Sequence, residues 1–218
     1  PSEAELSAAR ALVGVAGRLS PRPAERAVVK RAALRFDESG FGRGAALGRA
    51  LAAAVERRVA AHLDLGGLLA WEMSRKALAV EIADPRDRAR PALRFEIRRR
   101  NGSLATSGNS EPAVAVGGER IGHRLDPATG RPAPDFGSVT VLTAEPLRAD
   151  CLASALFVMG PERGLAWARA HPGDEVAYLI VEGDRLVVRA TPMLQGRLRA
   201  LAPEVELRYE PRARRKPS

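Results

Sequence analysis

The chain has 218 residues, 45% of them hydrophobic and 28% charged, which leaves room for a buried core and excludes both a disordered and a fibrous class. Its one cysteine, Cys151, excludes an internal disulfide framework and a cysteine-clustered zinc site, and no transmembrane segment is expected, because no apolar stretch approaches the roughly 20 residues a spanning helix needs. The net charge of +9 is nearly all arginine, only three of the 35 basic residues being lysine, and with aromatics at 4% too few stacking platforms exist for a specific nucleic-acid partner.

Residues 3–19 predict a first helix, with Leu6, Ala9, Leu12, Val13 and Ala16 recurring at intervals of three and four. Ser20-Pro21-Arg22-Pro23 ends it, since proline disfavours helical backbone at the residue before it. Residues 34–36 read as a short strand entering Ser39-Gly40-Phe41-Gly42-Arg43-Gly44. That glycine-rich turn opens a long helix over about 45–62, with Leu47, Leu51, Val55 and Val59 as its buried stripe. Residues 62–67 are expected to form a buried strand running into a tight glycine turn. Strands follow at 77–82 and at 93–97, where Leu93, Phe95 and Ile97 alternate with charged neighbours. Further strands are expected at 103–106, 113–116 and 138–142. Helix returns over 150–159, breaks at Gly160-Pro161 and resumes over 162–170. Segments 175–181 and 185–191 form a hairpin around Gly183-Asp184, and 205–209 is a last strand. The runs Arg98-Arg99-Arg100 and 212–216 read as solvated surface. The pattern predicts one α+β domain over 1–210, a mixed or antiparallel sheet with packed helices, followed by a basic flexible tail at 211–218.

Three segments carry candidate chemistry. Glycines in 39–44 let backbone approach a ligand closely, the helix that follows offers free N–H groups to phosphate, and Arg43 adds a forked donor. A purely structural turn is the competing reading, and the segment is neither a Walker loop nor a dinucleotide fingerprint. In the segment from Gly122 to Pro132, Asp126-Pro127 and Thr129-Gly130 build a rigid surface loop, and His123 just ahead of it could serve as a base or a phosphate contact. In Ala149-Asp150-Cys151-Leu152-Ala153-Ser154, Asp150 and Ser154 stand four apart and share a helix face. A carboxylate and a hydroxyl there are hard oxygen ligands suited to Mg²⁺; Asp150 as a plain helix cap is the alternative.

Together and in this order, these segments resemble the ApbE family, the FAD:protein FMN transferases. The resembling blocks are 36–44, 63–67, Leu104-Ala105-Thr106-Ser107-Gly108-Asn109, 123–132 and 138–160. The resemblance implies a single α+β domain that takes FAD as its substrate with Mg²⁺ as cofactor. It implies transfer of the FMN half of FAD onto a Thr or Ser hydroxyl of a target flavoprotein, with release of AMP. By the same resemblance Asp150, Ser154 and a backbone carbonyl of Gly40 or Gly42 hold the metal. Asp37, Arg43, His123 and Leu125 face the flavin nucleotide, Leu125 through its backbone. His123 is the implied catalytic residue, touching the phosphates or accepting the proton of the incoming hydroxyl.

The chain departs from the family pattern at identifiable places. Where many members carry lysine, an aromatic and an acidic residue in the glycine-rich segment, it has Arg43, Ala45 and Gly48, and Ser154 stands in place of the usual threonine. The N-terminal part of the family domain is expected to be missing or shortened, the first helix being the end of that region. A divergent flavin-binding protein, non-catalytic or hydrolysing FAD, is the alternative function. Family resemblance implies a bacterial cell-envelope or periplasmic location, or a cytoplasmic one if the native chain has no leader.

Overall fold

The structure, a computed structural model, describes residues 2–211 apart from 16, 74–75, 110–113 and 117–118, and of 114–116 and 119–121 the backbone alone. Helix α1 (Glu3–Leu12) starts at a reciprocal cap: the Glu5 N–H donates to the Ser2 hydroxyl and the Ser2 N–H to the Glu5 carboxylate. It ends at Leu12 rather than at residue 19, because the Gly14 backbone turns to φ 100° and cover for the apolar face, which half-buries Leu6, does not reach Leu12, 73% exposed. Ala16 lies outside the described residues. Strand β1 (Leu19–Arg22) pairs with β2 (Ala27–Lys30), so the proline-rich segment is half of a hairpin and not merely a stop. Residues 34–36 are irregular, contrary to the strand expected there.

A 3-10 turn (Glu38–Gly40) leads into helix α2 (Gly42–Glu56). The helix stops where Arg58 takes a left-handed φ of 55°, reversing the chain into β3 (Ala61–Asp64). Its stripe is therefore short: Leu47 and Leu51 are buried, whereas Val55 and Val59 are exposed. β3 is a half-buried edge strand, not the buried strand expected. Its partner β4 (Leu68–Glu72) has no counterpart among the predicted elements.

The remaining strands follow the sequence closely: β5 (Leu78–Ala83), β6 (Pro91–Ile97), β7 (Gly102–Gly108), β8 (Val114–Val116), an unforeseen β9 (Glu119–Ile121) and β10 (Gly137–Thr143). Helix α3 (Pro146–Ala170) breaks at Gly160, the break that Gly160-Pro161 predicts. Strands β11 (Glu175–Glu182) and β12 (Arg185–Ala190) form the expected hairpin, and an unforeseen β13 (Leu198–Ala200) precedes the expected last strand, β14 (Val205–Tyr209). The tail expected at 211–218 lies, from 212 onward, outside the described residues. Among the described residues no helix is long and apolar enough to cross a membrane.

Seven strands form the main sheet in the order β14-β12-β11-β10-β7-β4-β3, antiparallel except for the β12/β14 pair. A second sheet, β13-β6-β5, is antiparallel. Strand alternation sends one set of side chains to each face of the main sheet. Leu68, Ala105, Val139, Val141 and Tyr178 meet Leu47, Leu51, Leu156 and Phe157 of α2 and α3. Trp71, Leu104, Leu142, Leu179 and Val188 meet Leu93, Phe95 and Ile97 of the smaller sheet. The result is helices on sheet on sheet, with β10 buried along its whole length.

Candidate functional site: a cavity between the glycine-rich turn, the His123 loop and helix α3

Two cavities share two arginines. The first, about 480 Å³, lies on the helix side of the main sheet. The turn before α2 supplies Asp37, Ser39 and Gly40 to its wall, and α2 supplies Arg43. His123, Arg124 and Leu125 enter from the loop ahead of β10, and Ser154 and Val158 from α3. The second cavity, about 210 Å³, lies between the two sheets. Leu104, Thr106, Gly108 and Ser138 of β7 and β10 form one wall, and Val80 to Pro85 the other. Arg43 and Arg124 line both.

Local chemistry explains why each wall stands where it does. The Asp37 carboxylate accepts the Ser39 N–H at 2.8 Å, starting the 3-10 turn, and that bond holds the Asp37 carboxyl below its ordinary pKa. The 122–133 loop is tied by its own turn residues. Asp126 donates its N–H to the Arg131 carbonyl at 2.8 Å, its side chain accepts the Ala128 N–H, and the Ala133 N–H returns to the Arg124 carbonyl. This is the rigid loop that Asp-Pro and Thr-Gly predict. It presents His123 with its Nε2 3.2 Å from Nη1 of Arg124. Arg124 in turn donates to the Ser107 hydroxyl at 3.4 Å and lies 5.7 Å over the Phe157 ring, an arrangement that stiffens a long side chain at the cavity mouth.

Asp150 is 2% exposed, and its carboxylate faces the first turn of α2. Oδ2 accepts the Gly44 N–H at 2.8 Å, and Oδ1 lies 3.5 Å from Nη2 of Arg43. Because α3 begins at Pro146, Asp150 does not cap its own helix; it satisfies an N-terminal N–H of the neighbouring one, where the helix dipole favours negative charge. Only glycine permits this approach: a Cβ on Gly44 would lie 2.6 Å from the Pro146 carbonyl and 2.8 Å from the Asp150 Cβ.

One turn along α3, Ser154 is half-buried, and its Oγ would lie 3.9 Å from a Cβ placed on Gly40. The expected residues thus divide. Asp37, Gly40, Arg43, His123, Leu125 and Ser154 come together at one cavity, and Asp150 joins them through Arg43. Gly42 faces the Glu38 side chain instead, at 3.2 Å from its would-be Cβ, and lines neither cavity. Arg124 escaped the sequence reading, because nothing distinguishes one arginine in a chain whose basic residues are nearly all arginine.

The donor set is a single carboxylate, a hydroxyl and backbone carbonyls, all hard oxygens, and most of the Asp150 lone pairs remain uncommitted. Among the described residues no group of three or more His, Cys, Asp or Glu side chains could hold a metal. Such a set fits Mg²⁺, which binds through one or two carboxylates when phosphates and water complete its shell.

Fold and site together define an α+β protein whose cavities are edged by two arginines, one of them ion-paired with a buried aspartate. The ApbE family model matches residues 1–179, and the chain belongs to that family. The FAD:protein FMN transferase of Treponema pallidum is 36% identical over 124 residues, 56% of this chain and 33% of that one. The enzyme of the same name from Vibrio cholerae is 46% identical over 70 residues, 32% of this chain and 21% of its own. The apo crystal structure of the Pseudomonas stutzeri flavinyl transferase ApbE matches with a TM-score of 0.72 at 29% identity, covering 90% of this chain and 61% of that one. The ApbE protein of Thermotoga maritima matches at 0.71 and 26%, covering 83% and 59%. The chain therefore spans about a third or less of these curated relatives and about three fifths of the structural ones.

Proposed function

We propose that this chain transfers the FMN half of FAD to a Thr or Ser hydroxyl of a target flavoprotein in a Mg²⁺-dependent reaction that releases AMP. The observation that carries the reading is the convergence of the glycine-rich turn, the His123 loop and Ser154 on one cavity edged by two arginines. The curated relatives bear the name of that activity.

In this reading the acceptor oxygen attacks the flavin-side phosphorus of FAD, the bond to the bridging oxygen breaks, and AMP leaves. Arg43 and Arg124 neutralise the diphosphate, whose charge is what the transition state must spread. His123 accepts the proton of the incoming hydroxyl, and Asp37 and the Leu125 backbone bound the nucleotide site. Asp150, Ser154 and the Gly40 carbonyl would hold Mg²⁺, which supplies charge stabilisation at the leaving phosphate oxygen.

The test is a mass measurement. Incubation with FAD, Mg²⁺ and a protein bearing a flavinylation site is expected to add one FMN covalently, and EDTA or Asp150→Ala to abolish the gain. AMP release without a mass gain would instead make the chain an FAD hydrolase, and neither product would end the enzymatic reading.

A further inference from the structure

Arg43 is placed to do more than meet a phosphate. Its Nη1 donates to the Gly66 carbonyl at 2.6 Å, and its Nη2 lies 3.5 Å from Oδ1 of Asp150. The first is a full hydrogen bond; the second is an ion pair too long to be one. Oδ2 of Asp150 is already committed to the Gly44 N–H, so the oxygen less tied to backbone is the one Arg43 faces. The Asp150 side chain is 3% exposed, and a carboxylate so buried needs a counter-charge. Arg43 is that charge. A divalent cation on Oδ1 would take over the role and repel the guanidinium, since like charges about 4 Å apart interact strongly away from bulk water. Arg43 has somewhere to go. It is 36% exposed, keeps its anchor on Gly66, and borders both cavities.

We propose that Arg43 is an internal counter-ion of the cation site: it balances Asp150 until a divalent cation displaces it, and the displaced guanidinium then becomes available to the nucleotide diphosphate. This rests on the cation-binding part of the function proposed above. It makes Arg43 a positioning residue that couples cation occupancy to substrate binding.

The test uses Mn²⁺ as the probe, without nucleotide, with free Mn²⁺ followed by electron paramagnetic resonance. Arg43→Gln keeps a donor for the Gly66 carbonyl but removes the charge, and is expected to bind Mn²⁺ about fivefold or more tightly than wild type; Arg43→Lys keeps the charge and is expected to stay within about twofold. Asp150→Asn is expected to abolish binding in either background. A second measurement needs no variant: Mn²⁺ is expected to increase the reaction of Arg43 with phenylglyoxal, read by peptide mass spectrometry. Equal or weaker Mn²⁺ binding by Arg43→Gln, or an Arg43 whose reactivity is unchanged or slowed by Mn²⁺, overturns the counter-ion proposal alone. No Mn²⁺ binding by wild type or Arg43→Gln overturns it together with the metal reading.

Discussion

Two buried carboxylates show how differently one chemical group is used in this molecule. Asp150, tied to the cavities through Arg43, keeps much of its hydrogen-bonding capacity open, while Asp174, which follows α3 in the chain but sits back at that helix's first turn, is fully engaged. Arg148 grips both its oxygens, at 2.8 and 2.6 Å, and the Thr143 hydroxyl donates to one of them at 2.8 Å. Burial pushes the Asp174 carboxyl up, but the Arg148 and Thr143 hydrogen bonds outweigh it and hold the pKa below the ordinary value. A depressed pKa in the folded state means stability that is present above the unfolded pKa of about 3.9 and lost as pH falls through the folded value. Asp174→Asn should therefore cost about 1–3 kcal/mol at pH 7 by urea denaturation, with the gap to wild type closing below about pH 4. A gap independent of pH would mean that shape, not charge, is what Asp174 contributes. Nearby, Arg99 corrects an expectation: in a run read as solvated surface, it pairs with Glu175, itself 3% exposed and also held by Arg197 at 2.6 Å. A charge run on the page does not reveal which of its members has a buried partner on another strand.

Elements were legible where the pattern is local. The β11–β12 hairpin follows from two alternating runs around Gly183-Asp184, and the break in α3 from Gly160-Pro161. Gly160 sits at φ 76° and ψ 170°, a region that side chains effectively forbid, and none of the described residues lies within 4 Å of where its Cβ would be. Gly160→Ala should thus lose about 1–3 kcal/mol from backbone strain alone, and a neutral result in thermal unfolding would show that the helix relaxes past the break. Elements were illegible where a distant partner decides. β4 reads as Leu-Leu-Ala-Trp-Glu without a polar alternation, because β3 and β7 flank it and both faces are covered. The first helix and the second both end earlier than their apolar spacing suggests, since spacing continues past the point where there is anything left to pack against. Periodicity tells which face a helix would bury, not how far the covering surface extends.

At the scale of the whole molecule, one sheet serves two cores. β10 contributes Val139 and Val141 to the helix side and Leu142 to the side of the smaller sheet. Shared strands imply shared stability. Leu156→Ala on the helix side and Leu142→Ala on the other should each cost about 2–5 kcal/mol, with chemical unfolding still a single transition in both. Two separated transitions in either variant would show that the layers unfold independently.

The same layering sets the division between what the amino-acid order established and what folding added. Family, α+β class, most strands and the residue types of the site were all readable from short motifs, because hydrogen-bonding turns, alternation and helical spacing are local properties. Which residues meet was not readable. Asp150 and Gly44 are distant along the chain and in contact through the packing of α3 on α2. That contact gives Arg43 its counter-charge, and the approach of the 122–133 loop to Phe157 brings Arg124 to the same opening. Long-range approach depends on the shapes of packed surfaces, and no window of neighbouring residues encodes those shapes.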